Sequence, residues 1–352
     1  MSRFCRREGL EPYVPGEQPK GGILIKLNTN ESPFPPSPKA LEAASAAAGN
    51  LRLYSDPECA SVREGLARTY SVSPENVLVS NGSDEALNFA FMAFCSADAP
   101  AVFPDITYGF YPVFCRLHSV PYREIPLKED LSIDPGDYID APGMVVIANP
   151  NAPTGIELPR DAIEKIIRGN RNNVVLIDEA YVDFGGRSCA DLIYEYDNLL
   201  VIGTFSKSRS LAGARLGFAI GPAELIADLD RIRNSTNPYN VNSVTLACGA
   251  AALEDSSYMA ECCRTVIKNR EYTASRLRDM GFFVPESKAN FVFASHPRIS
   301  GEEVYRKLRE RGILVRHFSK ERIRDFNRIT IGTMEQMEKL ISALNDILET
   351  VK

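Results

Sequence analysis

The 352-residue sequence contains no tryptophan, only three histidines and no pair of cysteines in a C-x-x-C arrangement. A zinc site usually needs histidine and cysteine ligands clustered at short spacing, so the scattered positions of the eight cysteines argue against a metal centre. Most of these cysteines lie in apolar or helical contexts such as FMAFC and TLACGAA. We therefore expect buried free thiols and no bound metal.

The sequence also lacks an excess of positive charge and a long apolar run. Its 40 basic and 46 acidic residues give a net charge of -6, whereas a nucleic-acid partner usually requires a basic face. No apolar stretch approaches the ~20 residues of a membrane span, and the N-terminus lacks the apolar centre of a signal peptide. We expect a cytoplasmic protein that binds neither nucleic acid nor membrane.

Short apolar segments alternate with helical patterns through the first two thirds of the chain, which predicts an α/β fold. Strands are predicted at 77–79, 101–103, 122–125, 144–148, 174–177, 199–202 and 216–220. Continuously apolar strands of this kind indicate a mostly parallel, seven-stranded sheet covered on both faces. The sequence predicts a proline-rich arm at 1–40, a large domain at 41–245, and a smaller α+β domain at 246–352 that packs with the arm and begins with a long helix at 243–280.

Lys207 directly follows the predicted strand at 199–202, in the segment VIGTFSKSRSLAGARLG. The hydroxyl groups of Thr204 and Ser206 precede it, and Arg215 lies eight residues beyond it. A neighbouring cation and partial desolvation depress a lysine pKa, and a neutral amine can attack a carbonyl to form a Schiff base. Taken alone, the same pattern also fits a strand followed by a solvated basic loop.

Two further motifs follow buried strands, at the edge where α/β sheets bind ligands. Gly82-Ser83-Asp84 opens a predicted helix whose free N–H groups suit a phosphate, although Asp84 is also a good first-turn residue. Asp178 ends a strand, where it serves either as a turn residue or as the partner of a cation such as a protonated pyridine nitrogen. Tyr181 would then reach a phenolic oxygen on the same ring. Together with Lys207, these motifs describe a pyridoxal phosphate site.

The motifs occur in the order NGSDE, Tyr108, NPNAPTG, DEAY and SK followed by Arg215, and in this combination the chain resembles fold-type I aminotransferases. The segments PYVPGE, KLNTNESPFPPSP, LRLYSDPE and RGILVRHFS are similar to those of histidinol-phosphate aminotransferases. The resemblance implies a homodimer that transfers an amino group between L-histidinol phosphate and 2-oxoglutarate, with imidazole acetol phosphate and L-glutamate as products, in histidine biosynthesis. An aromatic or broad-specificity aminotransferase, a threonine-phosphate decarboxylase and a regulatory binding module on the same scaffold stay open.

The resemblance also implies a role for each motif residue. Lys207 would form the Schiff base and move the proton, Asp178 would pair with the pyridinium nitrogen, and Tyr181 would hydrogen-bond the ring oxygen O3′. The other implied cofactor-binding residues are Ser83, Asp84, Thr204, Ser206 and Arg215 around the phosphate, Tyr108 stacked on the ring, and Tyr54 from the neighbouring subunit.

One position departs from the pattern of many relatives, which have asparagine where this chain has Ala152. The implied contact with O3′ then passes to Asn151. For the substrate, Tyr13, Arg316 and Arg328 are candidate anion-binding residues, since phosphates and carboxylates both favour arginine, and Asn290 lies near the same region in relatives. A solvated surface role stays open for each of these four.

Overall fold

The computed structural model describes residues 10–18 and 25–350. The strands are β1 (Ile25–Lys26), β2 (Val77–Ser80), β3 (Ala101–Pro104), β4 (Tyr122–Ile125), β5 (Met144–Ala148), β6 (Val175–Asp178), β7 (Leu199–Thr204), β8 (Gly217–Ile220), β9 (Phe291–Ser295), β10 (Ile313–Leu314), β11 (Arg316–His317) and β12 (Phe326–Thr330). The α-helices are α1 (Pro38–Ala48), α2 (Ala60–Tyr70), α3 (Ser83–Phe94), α4 (Tyr111–His118), α5 (Arg160–Arg168), α6 (Ala223–Thr236), α7 (Ser243–Glu254), α8 (Ser256–Asp279), α9 (Gly301–Glu310) and α10 (Met334–Glu349).

Seven of the strands form one sheet in the order β2-β8-β7-β6-β5-β3-β4. Strand β8 is antiparallel to both of its neighbours, and every other neighbouring pair is parallel. Alternate strand residues enter two different cores: Val145 packs with α2, α5 and α7, and Val146 packs with α3, α4 and α6. The predicted α/β class and the mostly parallel seven-stranded sheet are therefore confirmed.

The C-terminal part of the chain forms a smaller α+β unit around an antiparallel sheet of order β11-β12-β9. Helices α8, α9 and α10 contribute to its separate core. The N-terminal segment belongs to the same unit, because β1 pairs in parallel with β10 and Leu27 is buried in that core. The backbone N–H of Thr330 also donates to the carbonyl of Leu27.

The helical region at 243–280 differs from the prediction of one continuous helix. It is divided at Asp255 into α7 and α8. The buried residues of α7 pack in the core that contains the seven-stranded sheet, whereas those of α8 pack in the core of the smaller unit. The sequence from 243 to 280 contains neither glycine nor proline at the break, so the helical pattern alone does not reveal it.

The seven cysteines in the described part of the chain are all free, and six of them are buried; Cys5 lies outside the described residues. Across residues 10–18 and 25–350 there is no cluster of His, Cys, Asp or Glu suited to a metal ion. No helix within these ranges is long and apolar enough to cross a membrane.

Gly217, the first residue of β8, packs directly against the turn between β2 and α3. A Cβ at this position would lie 2.3 Å from the backbone nitrogen of Ser83 and 2.4 Å from the carbonyl carbon of Gly82. Backbone atoms cannot rotate away, so we expect Gly217→Ala to lower the free energy of unfolding by about 1–3 kcal/mol. Gly213→Ala is the matched control, because nothing lies within 4 Å of a Cβ there. Chemical denaturation measures both variants, and equal stability would contradict the close packing.

Candidate active site

A cavity of about 390 Å³ opens beyond the carboxyl ends of β5, β6 and β7. The parallel register brings these ends together, since Ala148 pairs with Asp178 and Asp178 pairs with Ile202. The predicted site residues that line the cavity are Tyr13, Ser83, Asp84, Tyr108, Asp178, Tyr181, Thr204, Ser206, Lys207, Arg215, Arg316 and Arg328. Residues from the arm, the large domain and the small domain thus meet in one cavity, and Asn151, Asn290 and Tyr54 are not part of its wall.

Lys207 lies in the turn that follows β7, with its amine in the cavity. Its Nζ is 3.4 Å from the carbonyl oxygen of Thr29 and 5.7 Å from the centre of the Tyr181 ring. Within the described parts of the chain, no carboxylate lies within ion-pair distance of this amine. The amine is therefore not engaged by an acidic side chain and is free to meet a ligand.

Asp178 ends β6 at the base of the cavity and is 5% exposed. Its Oδ2 accepts a hydrogen bond from the hydroxyl of Tyr111 at 2.8 Å, and its Oδ1 accepts one from the N–H of Ala180 at 3.2 Å. Burial raises the pKa of the Asp178 carboxyl to about 6, although both hydrogen bonds oppose that rise. No cation of the described residues pairs with it, so a cationic ligand group at this point would be strongly favoured.

The N-terminus of α3 lies beside this carboxylate and presents free backbone N–H groups. The helix begins at Ser83, and the preceding Gly82 has a φ of 80° and no capping side chain. Arg215 crosses this turn so closely that a Cβ on Gly82 would lie 2.6 Å from its Nη2. The hydroxyls of Thr204 and Ser206, 3.0 Å apart, complete a set of donors that suits a phosphate.

Asp84 holds two side chains at the rim of this phosphate-binding turn. Its Oδ1 accepts a hydrogen bond from the hydroxyl of Tyr108 at 2.8 Å, and its Oδ2 accepts one from Nη2 of Arg215 at 3.2 Å. The carboxylate therefore orients an aromatic ring and a guanidinium from opposite sides of the cavity. This contact explains the acidic residue at a site that must bind an anion.

Two arginines of the small domain line the other end of the cavity. Arg316 and Arg328 are directly opposite each other on the antiparallel strands β11 and β12. Nη2 of Arg328 donates to the carbonyl of Asn28 at 3.0 Å, its Nε has no partner, and partial burial lowers its pKa. Among the described residues neither arginine has an acidic partner within 4.0 Å. Two adjacent guanidinium groups without a counter-ion suit an anionic ligand.

Asn151 does not line the cavity in this structure, and its expected contact with O3′ stays a prediction. Its Nδ2 donates to the carbonyl of Ile106 and to Oγ1 of Thr154, both at 3.0 Å, and its Oδ1 accepts from the hydroxyl of Thr107 at 2.9 Å. These bonds turn the amide into the loop, and the methyl group of Ala152 lines the cavity instead. The chain therefore has no asparagine amide at this point of the wall.

Asn290 and Tyr54 also lie outside the cavity wall. Nδ2 of Asn290 donates to the backbone carbonyl of Asn30 at 3.0 Å, so this buried side chain holds the arm and does not reach the cavity. Tyr54 is 83% exposed and stacks on Tyr239 with ring centroids 4.6 Å apart. Its position on the outer surface leaves the expected contact with a neighbouring subunit as a prediction.

Two site residues were not predicted from the sequence. Tyr111, in α4, is the hydroxyl donor to Asp178, and Asn30, in the arm, donates from Nδ2 to the hydroxyl of Tyr181 at 2.9 Å. Each contact joins residues that are far apart in the chain. The sequence shows only that Tyr111 lies in an apolar segment and Asn30 in a proline-rich one. Neither pattern identifies the residue that each contacts.

The polar groups of the cavity fit pyridoxal phosphate. Asp178 is a buried carboxylate without a cation and would pair with a protonated ring nitrogen, and the turn at Ser83 with Arg215 would hold the phosphate. Lys207 supplies an amine with no acidic partner among the described residues, and Tyr108 supplies an aromatic face. The donors and acceptors of this cavity match those the cofactor requires.

The two adjacent buried carboxyls differ in their pKa values, which predicts different pH windows. Burial raises the pKa of Asp178 from 3.8 to about 6 and that of Glu179 from 4.5 to about 8. A raised folded-state pKa means that ionisation destabilises the fold, so stability is lost as the pH rises from the unfolded to the folded value. In the cofactor-free protein, the free energy of unfolding of Asp178→Asn relative to wild type should increase by about 3 kcal/mol between about pH 4 and 6. Above about pH 6 this difference should stay constant.

Glu179→Gln is the comparison variant, because its advantage over wild type should continue to grow until about pH 8. Urea denaturation at half-unit pH intervals measures both curves. Identical windows for the two variants would contradict the assignment of the two pKa values.

Comparisons with known proteins agree with this geometry. The family model for aminotransferase class I and II matches residues 22–344. The chain is 50% identical over 354 residues to histidinol-phosphate aminotransferase 2 of Dechloromonas aromatica, with 99% of each chain covered. It is 50% identical over 350 residues to histidinol-phosphate aminotransferase 1 of Bradyrhizobium diazoefficiens, covering 99% of this chain and 100% of that one.

Among solved structures, histidinol-phosphate aminotransferase from Sinorhizobium meliloti in complex with pyridoxal-5'-phosphate is similar, with a TM-score of 0.86 and 25% identity over 94% of this chain and 92% of that one. This likeness confirms the expected pyridoxal-phosphate-dependent transferase fold. The full-length sequence match and the fold lead to one conclusion: the chain belongs to the aminotransferase class I and II family.

Proposed function

We propose that this chain is a pyridoxal-phosphate-dependent histidinol-phosphate aminotransferase, which transfers the amino group of L-histidinol phosphate to 2-oxoglutarate in histidine biosynthesis. The observation that carries the proposal is the pair Arg316 and Arg328, two guanidiniums without an acidic partner in the described chain, across the cavity from Lys207. L-Histidinol phosphate carries a phosphate but no carboxylate, and 2-oxoglutarate carries carboxylates. The same arginine pair suits both anions. The names of relatives 50% identical over the full length support this substrate.

The cofactor would be held at four points by this chain. The cofactor, when bound, supplies a ring that withdraws electrons from the substrate carbon. Asp178 would keep the ring nitrogen protonated, because the buried carboxylate is stabilised by a cation beside it. The turn at Ser83, with Arg215, would hold the phosphate, and Lys207 is the amine that would bind the aldehyde carbon.

Lys207 is also the group best placed to take a proton from the substrate carbon and to return it. Its amine is held at the carbonyl of Thr29 and over the ring of Tyr181, so its position is restricted even without an ionic partner. Tyr13, from the arm, closes the side of the cavity, with its ring 6.2 Å from that of Tyr108 and 5.0 Å from that of Phe110. Excluding water in this way limits unwanted proton exchange at the reacting carbon.

The protein would act as a homodimer, with Tyr54 contributing to the phosphate site of the neighbouring subunit. Tyr54 lies with Leu51, Leu53 and Tyr239 in an exposed group of large apolar side chains. Such a group is typical of a surface that another chain covers. The loop is held in place because the guanidinium of Arg233, in α6, donates to the carbonyl of Pro57. A firmly placed, exposed tyrosine supports a role across the subunit interface.

The test of the function is an assay of the half-reaction with the amino donor alone, which separates donor recognition from that of 2-oxoglutarate. We expect L-histidinol phosphate to react faster than phenylalanine or tyrosine. The variant Arg328→Gln loses the charged hydrogen bonds that Arg328 would make to the substrate. It should lower the second-order rate constant for the half-reaction with histidinol phosphate by about 10- to 100-fold. Arg306→Gln, on the exposed face of α9, is the control and should leave the rate unchanged.

Three results of this assay would contradict the proposal. Faster reaction with phenylalanine or tyrosine would indicate an aromatic aminotransferase. Carbon dioxide release from threonine phosphate, without amino transfer, would indicate a decarboxylase. Turnover that survives Lys207→Ala would show that the lysine does not carry the reaction.

A mixing experiment tests the homodimer and the placement of Tyr54 together. Lys207→Ala and Tyr54→Ala chains should each be nearly inactive alone. If Tyr54 serves the neighbouring subunit, each hybrid dimer contains one site with both native residues. About half of the dimers are hybrids after subunit exchange in an equimolar mixture, so the mixture should regain about a quarter of wild-type activity. If Tyr54 served its own chain, every site of the hybrid would carry a defect. A mixture without recovered activity would contradict the arrangement.

A further inference from the structure

The cavity wall between Ala152 and Tyr181 is mostly apolar. Ala152 and Tyr181 pack in one small cluster with Phe291, and the residues that line the cavity beside them, Ala148 and Ala180, add only methyl groups. The Tyr181 hydroxyl is therefore the polar side-chain group that this part of the wall offers to a ligand. Whether that hydroxyl donates or accepts a hydrogen bond decides what it can do.

Asn30 lines the cavity beside Tyr181 and contacts its hydroxyl. It is 1% exposed, has a φ of 56°, and donates from Nδ2 to the Tyr181 oxygen at 2.9 Å. Three further hydrogen bonds hold it to the small domain. Its N–H donates to Oγ1 of Thr330 at 3.0 Å, its Oδ1 accepts from the same hydroxyl at 3.1 Å, and its carbonyl accepts from Asn290 at 3.0 Å.

These contacts form one consistent set of hydrogen bonds around Asn30. The Thr330 hydroxyl accepts from the backbone N–H of Asn30, so its own proton is available for Oδ1. In this arrangement Oδ1 is the acceptor end of the Asn30 amide, and Nδ2 faces Tyr181. A tyrosine oxygen that accepts from Nδ2 keeps its own proton for another partner. That proton is directed away from Asn30, towards the cavity.

We propose that Asn30 is a positioning residue that orders the Tyr181 hydroxyl as a hydrogen-bond donor into the cavity and so compensates for the amide that is missing at Ala152. The inference rests on the proposed binding of pyridoxal phosphate, whose phenolic oxygen is the acceptor. It adds an arm residue that acts through Tyr181, by setting the donor state of its hydroxyl.

The arm links the orientation of the Tyr181 hydroxyl to the arginine pair Arg316 and Arg328. Nη2 of Arg328 donates to the carbonyl of Asn28, and Thr330 bonds Asn30, so two positions of β12 hold two positions of the arm with the same spacing. An anion that draws Arg328 acts on the strand that carries Thr330. The order of the Tyr181 hydroxyl is therefore tied to the strand that binds the substrate.

The test is a pH titration of the visible absorbance of the holoenzyme, which follows the proton shared by the Lys207 nitrogen and the phenolic oxygen of the cofactor. A hydrogen bond donated to that oxygen stabilises its anionic form and lowers the pKa of the shared proton. In Asn30→Asp the carboxylate would draw the Tyr181 proton to itself, so the pKa should rise by about one unit. Thr330→Val, which lets the amide rotate, should shift it in the same direction by less.

Two controls separate this effect from charge and from general loss of stability. In a Tyr181→Phe background, Asn30→Asp should cause no further shift, because the hydroxyl is already absent. Asn327→Asp replaces an equally buried asparagine of β12 that bonds the carbonyl of Gly301, and should leave the pKa unchanged.

Each outcome has a distinct meaning. An equal shift in the Tyr181→Phe background would show an effect of charge and would overturn the inference. Unshifted titrations of both Asn30→Asp and Thr330→Val in a coloured protein would overturn it while leaving the proposed function intact. If Asn30→Asp does not fold, Thr330→Val alone decides. A wild-type protein that cannot be coloured by pyridoxal phosphate would remove the proposed function and this inference together.

Discussion

The buried Asp178 carboxylate is the constraint on which the rest of the site depends. A carboxylate at the end of a covered parallel strand costs stability, and the Tyr111 hydroxyl and the Ala180 N–H offset only part of that cost. The fold tolerates the cost because a cationic ligand group repays it on binding. Because β7 lies in register beside β6, Lys207 shares the cavity of Asp178, and the turn at Ser83, which follows β2, lines the same cavity.

The cavity contains uncompensated groups of both charge signs. At one end an acid lacks a cation, and at the other Arg316 and Arg328 lack an anion, as far as the described chain shows. A cofactor with a cationic ring resolves the first problem, and a phosphorylated or carboxylated substrate resolves the second. Since the arginines come from the small domain and Asp178 from the large one, only the assembled cavity can bind both groups together.

The sequence was sufficient to predict the sheet, its strands and most of the cavity wall, because motif residues at the ends of parallel strands must converge. It was insufficient for Tyr111 and Asn30, whose partners lie 67 and 151 residues away. It also did not reveal that Ala152 and not Asn151 lines the cavity, since which of two adjacent turn residues faces a cavity depends on how the loop satisfies its own polar groups. Tertiary hydrogen bonds of this kind leave no periodic pattern in a sequence.

The arm explains how a single alanine can stand in the cavity wall without loss of control over the ring oxygen. Asn30 is in a left-handed conformation that asparagine tolerates, and its backbone and side chain each bond the small domain. In the arrangement they form, Nδ2 faces Tyr181, so the Tyr181 hydroxyl keeps its own proton for a partner in the cavity. The direction of the Tyr181 hydroxyl therefore depends on an arm segment held by β12, the strand that carries Arg328, and not on the NPNAPTG loop.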